Sequence, residues 1–341
     1  MLLSEFDFIL PEHLIAQTPL KKRDTSKLLV VDRQKENYTD HHFHQIINYL
    51  NKGDILVRNN TKVIPARLFG IKEITNGHCE VLLLKDLGDD CWECLVGNAK
   101  IIKVDTIVNF KEGLLKAQCI EVKKEGIRIF KMIYEGILFE ILDQLGTMPL
   151  PPYIKEKLTD STRYNTIYAK VEGSAAAPTA GLHFTKELEK QLIDKGIEIV
   201  DVTLHVGLGT FRPVKEDNVL NHHMHSEFYM LSKEAADKLN QAKENKQRII
   251  SVGTTSTRVL ESVYLKYGKF KETSENTNIF IYPGFQFQAI DGLITNFHLP
   301  KSTLLMLISA FSSKKLMLEA YHHAIEKEYR FFSFGDSMLI I

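Results

Sequence analysis

The 341-residue chain has no surplus of charge: 43 Lys and Arg stand against 43 Asp and Glu, a formal net charge of zero. No whole-protein field exists to draw in nucleic acid, so any polyanion has to meet a local patch. Long apolar runs are missing too. The longest, residues 304–311, has about half the roughly 20 residues that cross a bilayer, which predicts no membrane partner. The start lacks a basic segment followed by an apolar one and instead carries Glu5 and Asp7, which predicts no signal peptide. Cysteine is scarce. The four present (Cys79, Cys91, Cys94, Cys119) cannot staple a chain of this length, and they fit a cytoplasmic protein with reduced thiols. No internal repeat and no low-complexity segment occurs. What is present, 44% apolar and 25% charged residues, is globular, and the length suggests about two domains of roughly 150 residues.

The pattern along the chain divides in the same way. Near the start, Pro11 opens a short helix, residues 28–31 read as a strand, 43–50 as a helix, and 55–57 as a strand. Residues 63–134 are different. Short β-type runs at 67–71, 79–84, 92–96, 106–110, 115–122 and 127–134 are separated by Gly and Asp, the texture of a small barrel or sandwich. A helix over 137–145 stops at Gly146, and the stiff Pro149 to Pro152 stretch marks a boundary. Helices at 186–195, 233–246, 257–267, 303–311 and 315–329 then alternate with strands at 197–204, 248–252, 279–282 and 293–297. The expected fold is α/β: a largely parallel sheet domain built from residues 1–60 and 147–341, with a β-barrel domain, 61–146, inserted between them.

Several apparent sites are weak. Cys91 and Cys94 form a lone CxxC in a strand, where alternation points them to opposite faces, so they read as small buried hydrophobes. The clusters His41, His42, His44 and His222, His223, His225 lack carboxylates or cysteines at metal-ligand spacing, and no metal is expected. His225-Ser226-Glu227 is kept as a site wall. Gly207 and Gly209 form a GxG, but no third Gly opens a helix and Pro213 interrupts, which excludes a dinucleotide fingerprint. No P-loop occurs.

Three loops are informative. Residues 173–185 are nearly free of charge and rich in small residues, including Ala177, Pro178 and Gly181, which let a ligand approach the backbone. His183 and Thr179 add polar chemistry, and Thr185 is placed to cap the next helix. The second loop, Thr203 to Pro213, leaves a strand with His205, Gly207, Gly209, Thr210 and Arg212. The third, Ser251 to Arg258, combines Gly253 and the hydroxyls of Thr254 and Thr255 with Arg258, a set suited to a carboxylate or phosphate. Ordinary helix capping, with Arg258 in a surface ion pair, explains the third loop equally well. Asn296 and His298 end a further strand. If the sheet is parallel, these strand ends converge on one edge, giving a polar cleft with His183, His205 and His298 as acid–base candidates.

These residues carry a family resemblance. Residues 176–184 (AAPTAGLHF), 203–211 (TLHVGLGTF), 252–256 (VGTTS) and 293–300 (LITNFHLP) resemble the S-adenosylmethionine:tRNA ribosyltransferase-isomerases of queuosine biosynthesis, as do 59–67, 146–153 and 329–336. The departures are Arg58, where the family often has an aromatic, and Gly292, where it often has alanine. The resemblance implies an α/β domain with an inserted barrel, in a monomer. It implies S-adenosylmethionine as ribosyl-donating cosubstrate, and as partner a tRNA with a GUN anticodon carrying 7-aminomethyl-7-deazaguanine. The ribosyl group is transferred and isomerised to give epoxyqueuosine-tRNA, with release of adenine and methionine. The sulfonium acidifies the 5′ carbon, the attacking amine must be neutral, and adenine leaves better when protonated. On this footing His183 and His205 share the proton transfers, Thr179 and Thr210 orient substrate, and Arg258 with Thr254 and Thr255 holds the methionine carboxylate. Lys21, Lys22, Arg23, Lys62 and Arg67 are candidate tRNA contacts. The competing readings are an RNA methyltransferase, whose product would be S-adenosylhomocysteine, and an RNA-binding module without turnover.

Overall fold

The computed structural model describes residues 1–207 and 216–341. Along the chain run β1 (Lys27–Asp32), β2 (Asn37–His42), β3 (Ile55–Asn59) and β4 (Thr61–Val63). Six strands follow: β5 (Arg67–Lys72), β6 (His78–Asp86), β7 (Cys91–Val96), β8 (Ile107–Phe110), β9 (Leu115–Val122) and β10 (Ile127–Ile133). Then come α1 (Leu138–Leu145), β11 (Val171–Ser174), α2 (Lys186–Asp194), β12 (Glu198–Leu204), β13 (Glu227–Leu231) and α3 (Lys233–Glu244). The last elements are β14 (Ile249–Val252), α4 (Gly253–Tyr267), β15 (Thr273–Thr277), β16 (Gly292–Asn296), α5 (Thr303–Phe311), α6 (Lys314–Glu326) and β17 (Ser337–Ile340). Among the described residues no helix is long and apolar enough to cross a membrane.

The contacts gather in two units. The first comprises residues 1–60, 152–170 and 178–341, the second 61–151 and 171–177. Set beside the expected 1–60, 61–146 and 147–341, the segments 147–151 and 171–177 gather with the barrel strands.

In the first unit, nine strands form one sheet in the order β15-β13-β12-β3-β14-β16-β17-β1-β2. β12, β3, β14 and β16 are mutually parallel, as are β17 and β1. The other four pairings are antiparallel. The sheet is therefore mixed rather than largely parallel. The parallel centre has helical crossovers such as α3 and α4. β1 and β2 instead turn back through a short hairpin that places Glu36 at φ 50°. That edge strand (NYTDHH) was missed because it has no apolar face.

The core explains the central strands. Leu28, Val30, Leu56, Ile250, Val252, Ile294 and Leu339 pack with Phe43, Ile46, Leu188 and Leu192. Leu188 and Leu192, one turn apart, form the buried stripe of α2. Two local expectations change. Residues 43–50 form a 3₁₀ turn, Phe43–Tyr49, rather than an α-helix. Residues 279–282 are not a strand; the rings of Phe280 and Tyr282 instead meet at a tilt, 5.0 Å apart, and Phe280 meets His222.

The second unit contains the closed antiparallel barrel β10-β7-β6-β5-β8-β9, each strand near an expected run, and the parallel pair β11-β4. Cys94 is buried and Cys91 half-buried, as strand alternation requires. Gly70 permits close packing inside the barrel, since a Cβ there would lie 2.7 Å from Val108 and Phe110.

Candidate active site

Because β12, β3, β14 and β16 are parallel, their carboxyl ends share one edge of the sheet. β17 and β1 run oppositely, so their amino ends arrive at the same edge. This brings residue 26, just before β1, and Asp336, just before β17, to the end of β16.

At this edge a hydrogen-bonded chain runs through four side chains. Thr179 Oγ1 lies 3.0 Å from Asn296 Oδ1. Asn296 Nδ2 lies 3.1 Å from His183 Nε2 and also donates to the Asp336 carbonyl at 3.3 Å. His183 Nδ1 lies 2.7 Å from Ser26 Oγ. The carbonyl contact fixes the amide with Nδ2 as donor, so Nε2 of His183 accepts and its proton sits on Nδ1, facing Ser26. The imidazole is buried and packs on Phe43 at 5.0 Å. Burial first, then repulsion from Arg23 and Arg330, pushes its pKa down to about 3. At neutral pH His183 is thus uncharged, with both ring nitrogens engaged.

A second network starts at the end of β12. Gly207 N donates to Glu227 Oε1 at 3.0 Å, and Glu227 Oε2 accepts from Arg258 Nη1 in the first turns of α4. This ion pair is buried on both sides. Arg258 Nε and Nη2 and Thr255 Oγ1 are buried without a partner among the described residues. His205 is half-buried, its backbone N donating to Phe228 O and its ring 6.0 Å from that of Phe228. The two networks adjoin: a Cβ on Gly253 would lie 3.6 Å from that of Ala180. Gly253 has φ +89° and opens α4 four residues before the expected start. The loop hydroxyls therefore lie within the helix: Ser256 and Thr257 donate back to the carbonyls of Val252 and Gly253.

Other expected residues have less suitable places. His298 is buried, with its Nε2 2.8 Å from Thr295 Oγ1, and burial pushes its pKa down to about 3. At neutral pH its ring is uncharged and its Nε2 is engaged by Thr295. Gly181 packs beneath the edge, where a Cβ would lie 1.9 Å from the Tyr168 hydroxyl. Ala177 and Pro178 are buried in the chain leading to Thr179. Thr254 is buried at the start of α4. Gly209, Thr210 and Arg212 lie outside the described residues. Lys62 pairs with Glu172 at 2.9 Å and Arg67 with Glu80 at 3.2 Å. Lys21 and Lys22 are exposed, and Arg23 donates to the Leu182 carbonyl. Arg258 sits in a buried rather than a surface ion pair. Among the described residues no three His, Cys, Asp or Glu gather as a metal set. Sequence reasoning missed Ser26 and underused Glu227. Ser26 has no motif around it, and only the antiparallel return of β17 and β1 brings it to His183.

Comparison with known proteins bears on this edge. A family model described as "Queuosine biosynthesis protein" matches residues 3–340. Over 341 residues, all of both chains, the sequence is 58% identical to a Staphylococcus epidermidis protein named S-adenosylmethionine:tRNA ribosyltransferase-isomerase. A Staphylococcus aureus protein of the same name is 60% identical, again over all of both chains. The crystal structure of S-adenosylmethionine tRNA ribosyltransferase from Thermotoga maritima is 38% identical, with a TM-score of 0.58, covering 99% of this chain and 100% of that one.

Proposed function

The chain belongs to the queuosine biosynthesis family, and from that premise we propose how its edge network serves ribosyl transfer and isomerisation from S-adenosylmethionine to tRNA. The acceptor is 7-aminomethyl-7-deazaguanine at the wobble position of a GUN anticodon. Adenine and methionine leave, and epoxyqueuosine-tRNA is the product. The enzyme acts in the cytoplasm as a monomer.

The observation that carries this reading is the junction of the Thr179–Asn296–His183–Ser26 chain with the Gly207–Glu227–Arg258 network at one sheet edge. Its first role is orientation. With Asn296 Oδ1 accepting from Thr179, the Thr179 hydroxyl is held in one direction with a lone pair left for substrate. Its second role is proton transfer. Removing a proton from the carbon beside the sulfonium leaves an ylide, and protonated adenine is the better leaving group. The sequence assigned these protons to His183 and His205 together. The engaged, neutral ring of His183 makes it a positioning residue, so His205 takes the proton work. Arg258 Nε and Nη2, with Thr255 Oγ1, are donors for the methionine carboxylate, and Glu227 fixes the arginine from its other side. Lys21, Lys22 and Arg23 contact tRNA, whereas Lys62 and Arg67 would first have to leave a carboxylate.

The test is one incubation of the protein with S-adenosylmethionine and a precursor-bearing tRNA, followed by mass spectrometry. Free adenine, free methionine and the matching mass gain on the wobble base support the proposal. S-adenosylhomocysteine would make the protein a methyltransferase, and intact cosubstrate with bound tRNA a binding module.

A further inference from the structure

The proposed roles leave a group of cations unexplained. Arg23 and Arg163 line one narrow cleft of the first unit, with Pro19, Leu20, Ser26 and His183 among its walls. Arg330 stands behind them, its Nη2 donating to the Thr18 carbonyl and its charge felt at His183. All three arginines are half-buried. Among the described residues every side-chain hydrogen bond they make ends on a backbone carbonyl: Arg23 on Leu182 and Thr162, Arg163 on Leu20 and Lys21, Arg330 on Thr18. Among the described residues none has a carboxylate within ion-pair distance. Two nearby carboxylates offset part of this charge: Asp160 attracts Arg23 and Arg163, and Asp336 attracts Arg330. Asp24 lies 3.7 Å from Lys22, and Asp160 accepts from Thr162. Asp336 accepts from the backbone N–H groups of Lys27 and Arg330.

Carbonyl oxygens satisfy hydrogen-bond geometry but do not cancel charge. Three partly desolvated guanidiniums set against these two carboxylates leave a net positive charge, Arg23 and Arg163 repel each other, and an anion stabilises them. Arg163 Nε and Arg330 Nη1 are buried without partners. Outside the cleft, Lys21 and Lys22 are exposed and extend the positive field. That rim suits a polyanion better than a single small carboxylate.

We propose that the mouth of this cleft, whose interior has room for little more than a water, seats a phosphate of the tRNA backbone, held by Arg23 and Arg163 with Arg330 behind them. The inference rests on tRNA being the substrate. Ser26 and His183 form both a wall of the cleft and one end of the chain that orients Thr179. The seated phosphate is thus two side chains, His183 and Asn296, from the hydroxyl proposed to meet the reacting nucleotide.

The test uses a precursor-bearing anticodon stem-loop, with binding measured across a KCl series for wild type, R23Q, R163Q and R163K. Each neutralised phosphate contact should make the slope of log affinity against log salt shallower by about 0.7. R163K should keep most of the slope, and the KM for S-adenosylmethionine should not move. An unchanged slope in folded R23Q and R163Q overturns the inference. So does a raised KM for S-adenosylmethionine with an unchanged slope, which would make the cleft a carboxylate site. If R163Q does not fold, R330Q takes its place. Loss of the ribosyl-transfer reading would show separately, as wild type that binds the stem-loop but releases no adenine.

Discussion

Acidification from pH 7 to pH 5 should destabilise this fold, and His298 allows the effect to be measured one proton at a time. Its folded pKa is about 3, against 6.5 for an ordinary imidazole. Burial keeps the folded ring neutral while the unfolded chain protonates. The sign follows: this contribution is complete above pH 6.5 and is lost as pH falls from there towards 3. Between pH 7 and 5 the unfolded chain takes up nearly one extra proton at this residue, a loss of about 2 kcal/mol. His183 is buried with a similarly low value, so the pair loses about 4 kcal/mol, a large share of an ordinary domain's 5–15 kcal/mol. Burial raises Glu261 and Asp336, which act in the opposite direction. They remain in place in His298→Gln, so comparing that variant with wild type cancels them. Urea unfolding of both proteins at pH 7, 6 and 5 is the assay. Whatever the variant costs at pH 7, its further loss on acidification should be smaller than wild type's by about 2 kcal/mol. Equal losses would mean that His298 titrates normally within the fold, and the burial argument would fail.

Three shorter tests address the site. Ser26→Ala removes the acceptor for the His183 Nδ1 proton and should lower kcat about tenfold with KM for S-adenosylmethionine nearly unchanged; an unaltered kcat would remove His183 from the positioning role. If His205 and not His183 sets an ionisation in the kcat profile, His183→Asn should leave that pKa in place while lowering the plateau, and a shifted pKa would return the proton work to His183. Glu227→Gln leaves Arg258 as a buried, unneutralised cation and should cost about 3–5 kcal/mol by chemical denaturation, whereas a change under 1 kcal/mol would show that solvent or substrate-side groups already balance it.

Much of this was legible in the sequence because small residues and strand periodicity act locally. The six barrel strands and the capped start of α2 at Thr185, whose Oγ1 accepts from Leu188 N, follow from patterns a few residues long. The converging loops were legible for the same reason: Gly253 and Asn296 each stand at a strand end, and His183 stands just before the capped start of α2. What the sequence left open depended on partners far along the chain. His298 looked like a site histidine because it follows Asn296, yet Tyr321, whose hydroxyl accepts from its backbone N, helps enclose it in the core. Arg258 read equally well as a holder of an anion or as a surface ion pair, and the ion pair it makes, with Glu227 31 residues earlier, is buried. Ser26 was invisible because its partner lies 157 residues away.

β17 carries a consequence for how the protein is made. Its four residues, Ser337–Ile340, lie between β16 and β1 and so join the central strands to the β1–β2 hairpin. On a ribosome the hairpin emerges first and waits for almost the entire chain before its parallel neighbour is synthesised. During that interval Leu28, Leu29, Val30 and Val31, all buried in the finished sheet, face an open edge able to pair with another nascent chain. Translation that stalls before residue 337 would leave two unpaired apolar edges, on β1 and on β16, and a strong tendency to aggregate.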